Sequence, residues 1–190
     1  QLPNKTLTWQ KDAQTNIGVD FSVLKKRLTG SIDWFNRTTS ALLIPGVAAQ
    51  PAPPAIRWLN LDADVINKGL ELVLNGTIIQ KNDFSWDLGV NVTFIKNTVK
   101  NLNAPILVGQ LFGQGTSQTQ VQIIQNGAPL NSFYTRDYQG LDKTSGQAIY
   151  RDNGNIFYIV GNPNPDKIVG LSTTLTYKKL SFTANMNGAY

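Results

Sequence analysis

The side chains that could do chemistry here are hydroxyls, amides, carboxylates, amines and aromatic rings, because the 190-residue sequence has neither histidine nor cysteine. That removes the commonest general base and metal ligand, the thiol nucleophile, thiolate metal sites and any disulfide framework. A serine nucleophile would have to rely on a lysine base. No catalytic constellation is assigned, and the chain is read as no enzyme and as holding no cofactor. Asp142 together with Asp152-Asn153-Gly154-Asn155 crowds oxygen ligands near a glycine, as a calcium loop does. The EF-hand spacing and its closing glutamate are missing, so an Asx-rich turn is expected and no metal is assigned. Four Asn-x-Thr sequons, at Asn4, Asn36, Asn75 and Asn91, are set aside, since the motif is short and two of them fall inside predicted strands. What remains is recognition chemistry. Aromatic rings stack on sugar faces while amides and carboxylates bond hydroxyls, and Trp58, Phe112, Phe133, Tyr134 and Tyr138 lie in predicted loops where rings could serve that end. Packing of loop on loop, or on a partner protein, is the competing role for each.

The elements that would carry these groups are strands. In 65–96 the first arm puts Leu70, Leu72, Leu74, Gly76 and Ile78 on one face, with Gly69, Glu71, Val73, Asn75 and Thr77 on the other. After the polar turn Gln80-Lys81-Asn82-Asp83, Phe84, Trp86, Leu88, Val90, Val92 and Phe94 alternate with Ser85, Asp87, Gly89, Asn91 and Thr93. Period-two alternation predicts a long antiparallel hairpin with one apolar and one polar side. Similar hairpins are predicted about 14–38, around Lys25-Lys26, and about 167–190, around Lys178-Lys179, with a short strand at Thr6 to Trp9. Between them lie connections about 39–63, where Pro45, Pro51, Pro53 and Pro54 argue against strand, and about 98–166, where short strands inside a large loop are expected.

Arms this long exceed ordinary globular strands of about five or six residues and approach the roughly 9–11 that a tilted strand needs to cross a bilayer. No run of 18 apolar residues exists, which excludes a membrane helix and says nothing of a barrel. Tight turns at one end and long connections at the other match an outer-membrane barrel, with short periplasmic turns and long outer loops. Aromatics fall at two levels, Phe21, Phe84, Trp86, Tyr177 and Phe182 near the turns and Trp34, Phe94 and Tyr190 toward the far ends, as interface girdles would. In a barrel the polar row Glu71, Asp87, Asn91, Asn185 and Asn187 faces the lumen or a plug. The alternative is a secreted, soluble β-sandwich that binds carbohydrate, whose inner faces alternate in the same way. The net charge of +5 invites a nucleic-acid reading, but Lys25, Lys26, Arg27, Lys81, Lys178 and Lys179 sit at tight turns and not along one stripe, so no nucleic-acid partner is expected. The chain opens on Gln1-Leu2-Pro3-Asn4 without a leader and ends within an alternating run, so it is read as a piece of something longer.

Several blocks together resemble the late barrel of SusC/RagA-type TonB-linked outer-membrane proteins. They are Leu7-Thr8-Trp9-Gln10, Gln14 to Gly18, Arg27 to Phe35, Asn67-Lys68-Gly69-Leu70-Glu71-Leu72 and Phe84-Ser85-Trp86. Gly127-Ala128-Pro129-Leu130 and Gly161-Asn162-Pro163-Asn164-Pro165-Asp166 are similar to two of the family's loop signatures, and the blocks keep the family's order. Gln10, Asp62 and Asn131 depart from it at strand ends and loops, where the family tends to an acid and to glycines. The resemblance implies an all-β segment of a large transmembrane barrel in a bacterial outer membrane, part of an importer of glycan oligomers or peptides. It also implies a SusD-like surface lipoprotein as partner and a TonB complex acting through a plug that lies outside this sequence.

Overall fold

The computed structural model describes residues 4–47, 56–113 and 116–190. The alternating runs form strands, and among the described residues there is no α-helix. Six long strands are β1 (Lys11–Val23), β2 (Leu28–Ser40), β5 (Asp64–Lys81), β6 (Phe84–Lys100), β13 (Lys167–Tyr177) and β14 (Leu180–Ala189). They pair in the order β1-β2-β5-β6-β13-β14, an antiparallel sheet of consecutive hairpins. The connections carry short strands: β3 (Leu43–Val47) and β4 (Ile56–Asn60) after β2, then β7 (Ile106–Gly113), β8 (Thr116–Ile124), β9 (Ser132–Thr135), β10 (Tyr138–Leu141), β11 (Ala148–Tyr150) and β12 (Tyr158–Gly161) after β6. These make a β3-β4 pair, a β10-β11 pair and a four-stranded sheet ordered β12-β9-β8-β7.

The chain divides into two compact units: Gln1–Asp12, Thr39–Ile66 and Asn97–Asn164 form one, Ala13–Thr38, Asn67–Lys96 and Pro165–Tyr190 the other. The second is a single layer. Register aligns its rows: Trp86, Leu175 and Phe182 are neighbours on the apolar side, as are Val90, Leu171 and Met186, and Phe84, Tyr177 and Leu180 at the turn end. None of these side chains is covered as a globular core requires. Ile17 and Val19 are 65% exposed, Phe182 62% and Leu180 75%, and Leu72, Trp86 and Leu88 are only half-buried. Gly89 and Gly170 are the unit's only buried residues. A sandwich would lay a second sheet on that face; this unit has none, so the soluble alternative loses its core.

Two glycines let the strands of this layer approach closely. A Cβ on Gly30 would meet the Val73 carbonyl oxygen and the Phe21 ring, and a Cβ on Gly69 would meet the Phe94 carbonyl oxygen and the Phe35 ring. Each phenylalanine therefore lies across a glycine of the next strand, a pairing that fills the notch glycine leaves. From Phe84 to Phe94 is ten residues, about 33 Å along a strand and about 25 Å in height at barrel tilt. That height is the apolar band of an outer-membrane barrel.

The other unit holds the buried apolar cluster. Leu61, Ala63, Val65, Val99, Leu102 and Ile124 pack together, with Leu42, Ile44, Ile106, Val108 and Leu130 against them, and Val99 is fully enclosed. Backbone bonds knit the same region: Val99 N–H to the Ala128 carbonyl and Gly127 N–H to the Val99 carbonyl, each 2.9 Å. The Asn126 amide completes the edge by accepting from Leu102 N–H at 2.9 Å and donating to its carbonyl at 2.6 Å, as a neighbouring strand would. This connection is thus a small folded body, not a coil.

Two local expectations fail. Thr6 to Trp9 is no strand; Asn4 caps a turn there through Thr6 N–H, and Asn60 binds Thr8 on both its N–H and its carbonyl. An amide side chain takes the place of the missing ladder. Pro45 does not bar a strand, since it pairs with Trp58 in β3-β4. In a two-stranded sheet each strand has a free edge where the absent N–H costs nothing. Asn131, where the family tends to glycine, holds φ +59, which asparagine tolerates better than other residues.

An uncovered apolar layer predicts a specific penalty. Leu72→Arg or Leu88→Arg in the full-length protein should cost about 2–4 kcal/mol in liposomes by denaturant titration. Undiminished stability would show that this face does not meet lipid.

Candidate functional site

The polar face of the six-stranded sheet brings the sequence-selected polar residues to one side. Asn91, Gly170 and Asn187 share one row, and Gly89, Ser172 and Asn185 the next. Asp87 lies opposite Thr174 and accepts a 2.7 Å bond from the Thr77 hydroxyl of β5, which fixes Glu71 on the same side by alternation. A shallow cleft on this face is lined by Asn16, Asp33, Phe35, Arg37, Asn67 and Glu71. Phe35 is the residue that pattern reasoning missed. It is an aromatic on the polar side, lying over Gly69 of the neighbouring strand, and nothing in its own strand marks it for that place.

On the apolar face one polar pair stands out. The Trp86 indole N–H donates to the Thr173 hydroxyl at 2.9 Å. Register explains the pairing, because Thr173 lies opposite Leu88 and Trp86 opposite Leu175, so the two are diagonal neighbours. In hydrocarbon an unmade hydrogen bond is expensive, and each group supplies the other's partner.

The five aromatics assigned to loops lie on strands, because the connections are themselves folded. Trp58 is in β4, 42% exposed, and its carbonyl accepts from Asn4. Phe133 and Tyr134 are successive residues of β9, so their side chains point to opposite faces. The Tyr134 ring packs 5.7 Å from Phe157. Tyr138, in β10, meets Tyr150 edge-on at 5.9 Å and is 54% exposed. The backbone of Phe112 is in β7, and its side chain lies outside the described residues. The packed rings brace β-structure, whereas Trp58, Phe133 and Tyr138 keep faces accessible.

The remaining polar geometry in this unit is internal. Asp142 Oδ1 accepts from Thr144 N–H, Ser145 N–H and the Ser145 hydroxyl at 3.0, 2.7 and 2.8 Å, the Asx-type turn expected there. Those donors, the Ser145 N–H foremost, hold its carboxyl below the usual value of 3.8. Tyr158 donates to Asp152 and lies under the Arg151 guanidinium, 4.3 Å from ring centre, with its hydroxyl pKa raised chiefly by that bond to the carboxylate. No group of three or more acidic side chains that could hold a metal exists among the described residues. Ser22 and Lys25 have the spacing of a serine–lysine pair, but they straddle the end of β1 and its turn, where side chains three apart do not share a face as they do on a helix.

No family model matches the chain. The receptor SusC of Bacteroides thetaiotaomicron is 29% identical to it over 98% of this chain and 20% of its own length. The TonB-dependent receptor P3 of Formosa agariphila is 27% identical over 97% of this chain and 21% of its own. A structure of the RagAB peptide transporter superposes with a TM-score of 0.80 at 24% identity, over 98% of this chain and 22% of that one. The chain spans about a fifth of the length of the curated relatives it matches. The fold is that of a segment of a large transmembrane β-barrel, all-β and antiparallel, and its place is the bacterial outer membrane.

Two outcomes test this geometry. Thr173→Val should lower stability in lipid by about 0.5–2 kcal/mol and shift Trp86 fluorescence, while the same change at exposed Thr183 leaves Trp86 unmoved. Because the Asp142 carboxyl is held low, the stabilisation of its turn is complete above pH 3.8 and is lost as pH falls through the lowered value. Protection of the Thr144 and Ser145 amides relative to their intrinsic exchange rates should fall only below that point.

Proposed function

We propose that this chain, similar over nearly its whole length to TonB-dependent receptors of the SusC/RagA type, forms part of the wall and outer loops of an importer of glycan oligomers or peptides. The observation that carries the reading is the match across 98% of the chain to a SusC receptor, joined to a sheet unit whose apolar side has no protein cover among the described residues. Transport moves a ligand past a displaced plug and makes or breaks no bond, so the segment supplies scaffold and surface, not catalysis. Glu71, Asp87, Asn91, Asn185 and Asn187 line the lumen and bond the plug. Trp58, Phe133 and Tyr138 offer rings to ligand or to a SusD-like lipoprotein that caps the outer side. TonB acts from the periplasm through the plug, which other parts of the receptor provide.

The test uses the full-length receptor with its neighbouring lipoprotein. Cells carrying it should take up fluorescent oligosaccharides or peptides, and an uncoupler of the inner-membrane potential should stop the uptake. Phe133→Ala with Tyr138→Ala should raise the half-saturating concentration about thirtyfold, about 1 kcal/mol per ring. Uptake that survives the uncoupler, or none of either class of oligomer, would defeat the proposal.

A further inference from the structure

In the sequence, Lys25, Lys26, Arg27, Lys81, Lys178 and Lys179 fall at three separate tight turns with no evident stripe. The structure places them differently. The β1-β2 turn touches β5, where the Thr77 N–H donates to the Arg27 carbonyl at 2.9 Å and the Arg27 guanidinium donates to the Thr77 and Ile78 carbonyls at 3.1 Å. The next two turns touch each other through Lys178 N–H and the Asp83 carbonyl at 2.8 Å. Successive turns are two strands apart in the sheet, about 10 Å. Their cations therefore form a row along one rim of the sheet.

That rim holds the whole charge imbalance of the chain. It carries six of the seventeen basic side chains (Lys25, Lys26, Arg27, Lys81, Lys178 and Lys179) and one of the twelve acidic ones, Asp83. The other eleven basic and eleven acidic residues cancel, so the +5 resides at the turns. The row adjoins the apolar face directly. Leu24, 70% exposed, and Leu180, 75% exposed, are sequence neighbours of Lys25 and Lys179, and Lys178 Nζ lies 5.4 Å from the Tyr177 ring centre. The cations thus stand at the edge of the hydrocarbon band, at headgroup depth. The backbone is also adopted at a cost: Leu24, Lys25 and Lys26 hold φ of +53, +56 and +69, and Lys178 +52, where glycine would be unstrained. A turn selected for ease alone would not place long cationic side chains there.

We propose that this rim binds the anionic headgroups of phospholipids in the periplasmic leaflet, of the phosphatidylglycerol type. The inference rests on the outer-membrane barrel reading, since tight turns lie on the periplasmic side. An acidic periplasmic protein is disfavoured by the exposed leucines set between the lysines, which match a lipid boundary and not an aqueous one. Fixed cations about 10 Å apart present one site per headgroup, and attraction of this kind is screened by salt.

Trp86, two residues into β6 from the turn end, reports on the rim. The full-length receptor is reconstituted in phosphatidylcholine vesicles containing equal fractions of either brominated phosphatidylglycerol or brominated phosphatidylcholine. The Trp86 contribution is the difference between the receptor and its Trp86→Phe variant. Quenching by brominated phosphatidylglycerol should exceed that by brominated phosphatidylcholine about threefold to fivefold near 0.1 M salt, the enrichment of one cation-strength attraction. The excess should vanish at about 1 M salt, where the screening length falls to about 3 Å. It should also vanish in the combined variant Lys25→Gln, Lys26→Gln, Lys178→Gln, Lys179→Gln, persist when the same four become arginine, and persist in Lys96→Gln with Lys100→Gln. Equal quenching by the two lipids, or an excess that survives loss of the four lysines, overturns the headgroup proposal and leaves the barrel intact. Absence of quenching by either lipid overturns the barrel reading and this inference with it.

Discussion

A peptide group in hydrocarbon has nothing but another peptide group to bond to, and that requirement shapes the six-stranded sheet more than any side-chain contact does. Each interior strand is paired along both edges, and the arms run 10 to 18 residues so that pairing continues across the apolar band. Side chains then need only sort by face. The apolar side can be left without a second layer because lipid takes the place of a core, and this is why glycines alone are buried in that unit. Where a polar group remains on the lipid side, as at Trp86 and Thr173, it is matched within the sheet.

The connections obey the opposite rule. In water an extended strand with two open faces has no reason to stay folded, so the region after β6 builds an ordinary enclosed cluster around Val99. Small polar devices stand in for regular pairing there: Asn126 on Leu102, Asn60 on Thr8, Asp142 on its own turn. The same chain therefore folds by hydrogen-bond closure in one unit and by apolar burial in the other. A barrel segment with folded connections needs both, a wall that tolerates lipid and connections that hold their shape in water.

Charge follows the same division. Acids and bases are equal in number outside the rim of tight turns, where a cationic row borders exposed leucines and an aromatic belt. The Arg27 guanidinium ties neighbouring hairpins through backbone carbonyls, so the rim is braced as well as charged.

Strand identity, face and hairpin order were legible in the residues themselves, since period two is a local property that Leu70 to Ile78 and Phe84 to Phe94 display without context. So were the turn lysines and the absence of histidine and cysteine, and the ordered blocks from Leu7 to Asp166 were enough to carry the family resemblance. Whether Leu72, Leu88 and Phe182 meet a second sheet or lipid was not, because alternation is identical in both and only the absence of a covering layer separates them. Nor could the pattern show that Pro45 sits in a strand, that Thr6 to Trp9 does not, or that Phe35 crosses to Gly69. Each depends on what a distant segment places alongside, a free edge, an asparagine or a glycine notch. Those are relations between strands, and they exist only once the sheet has formed.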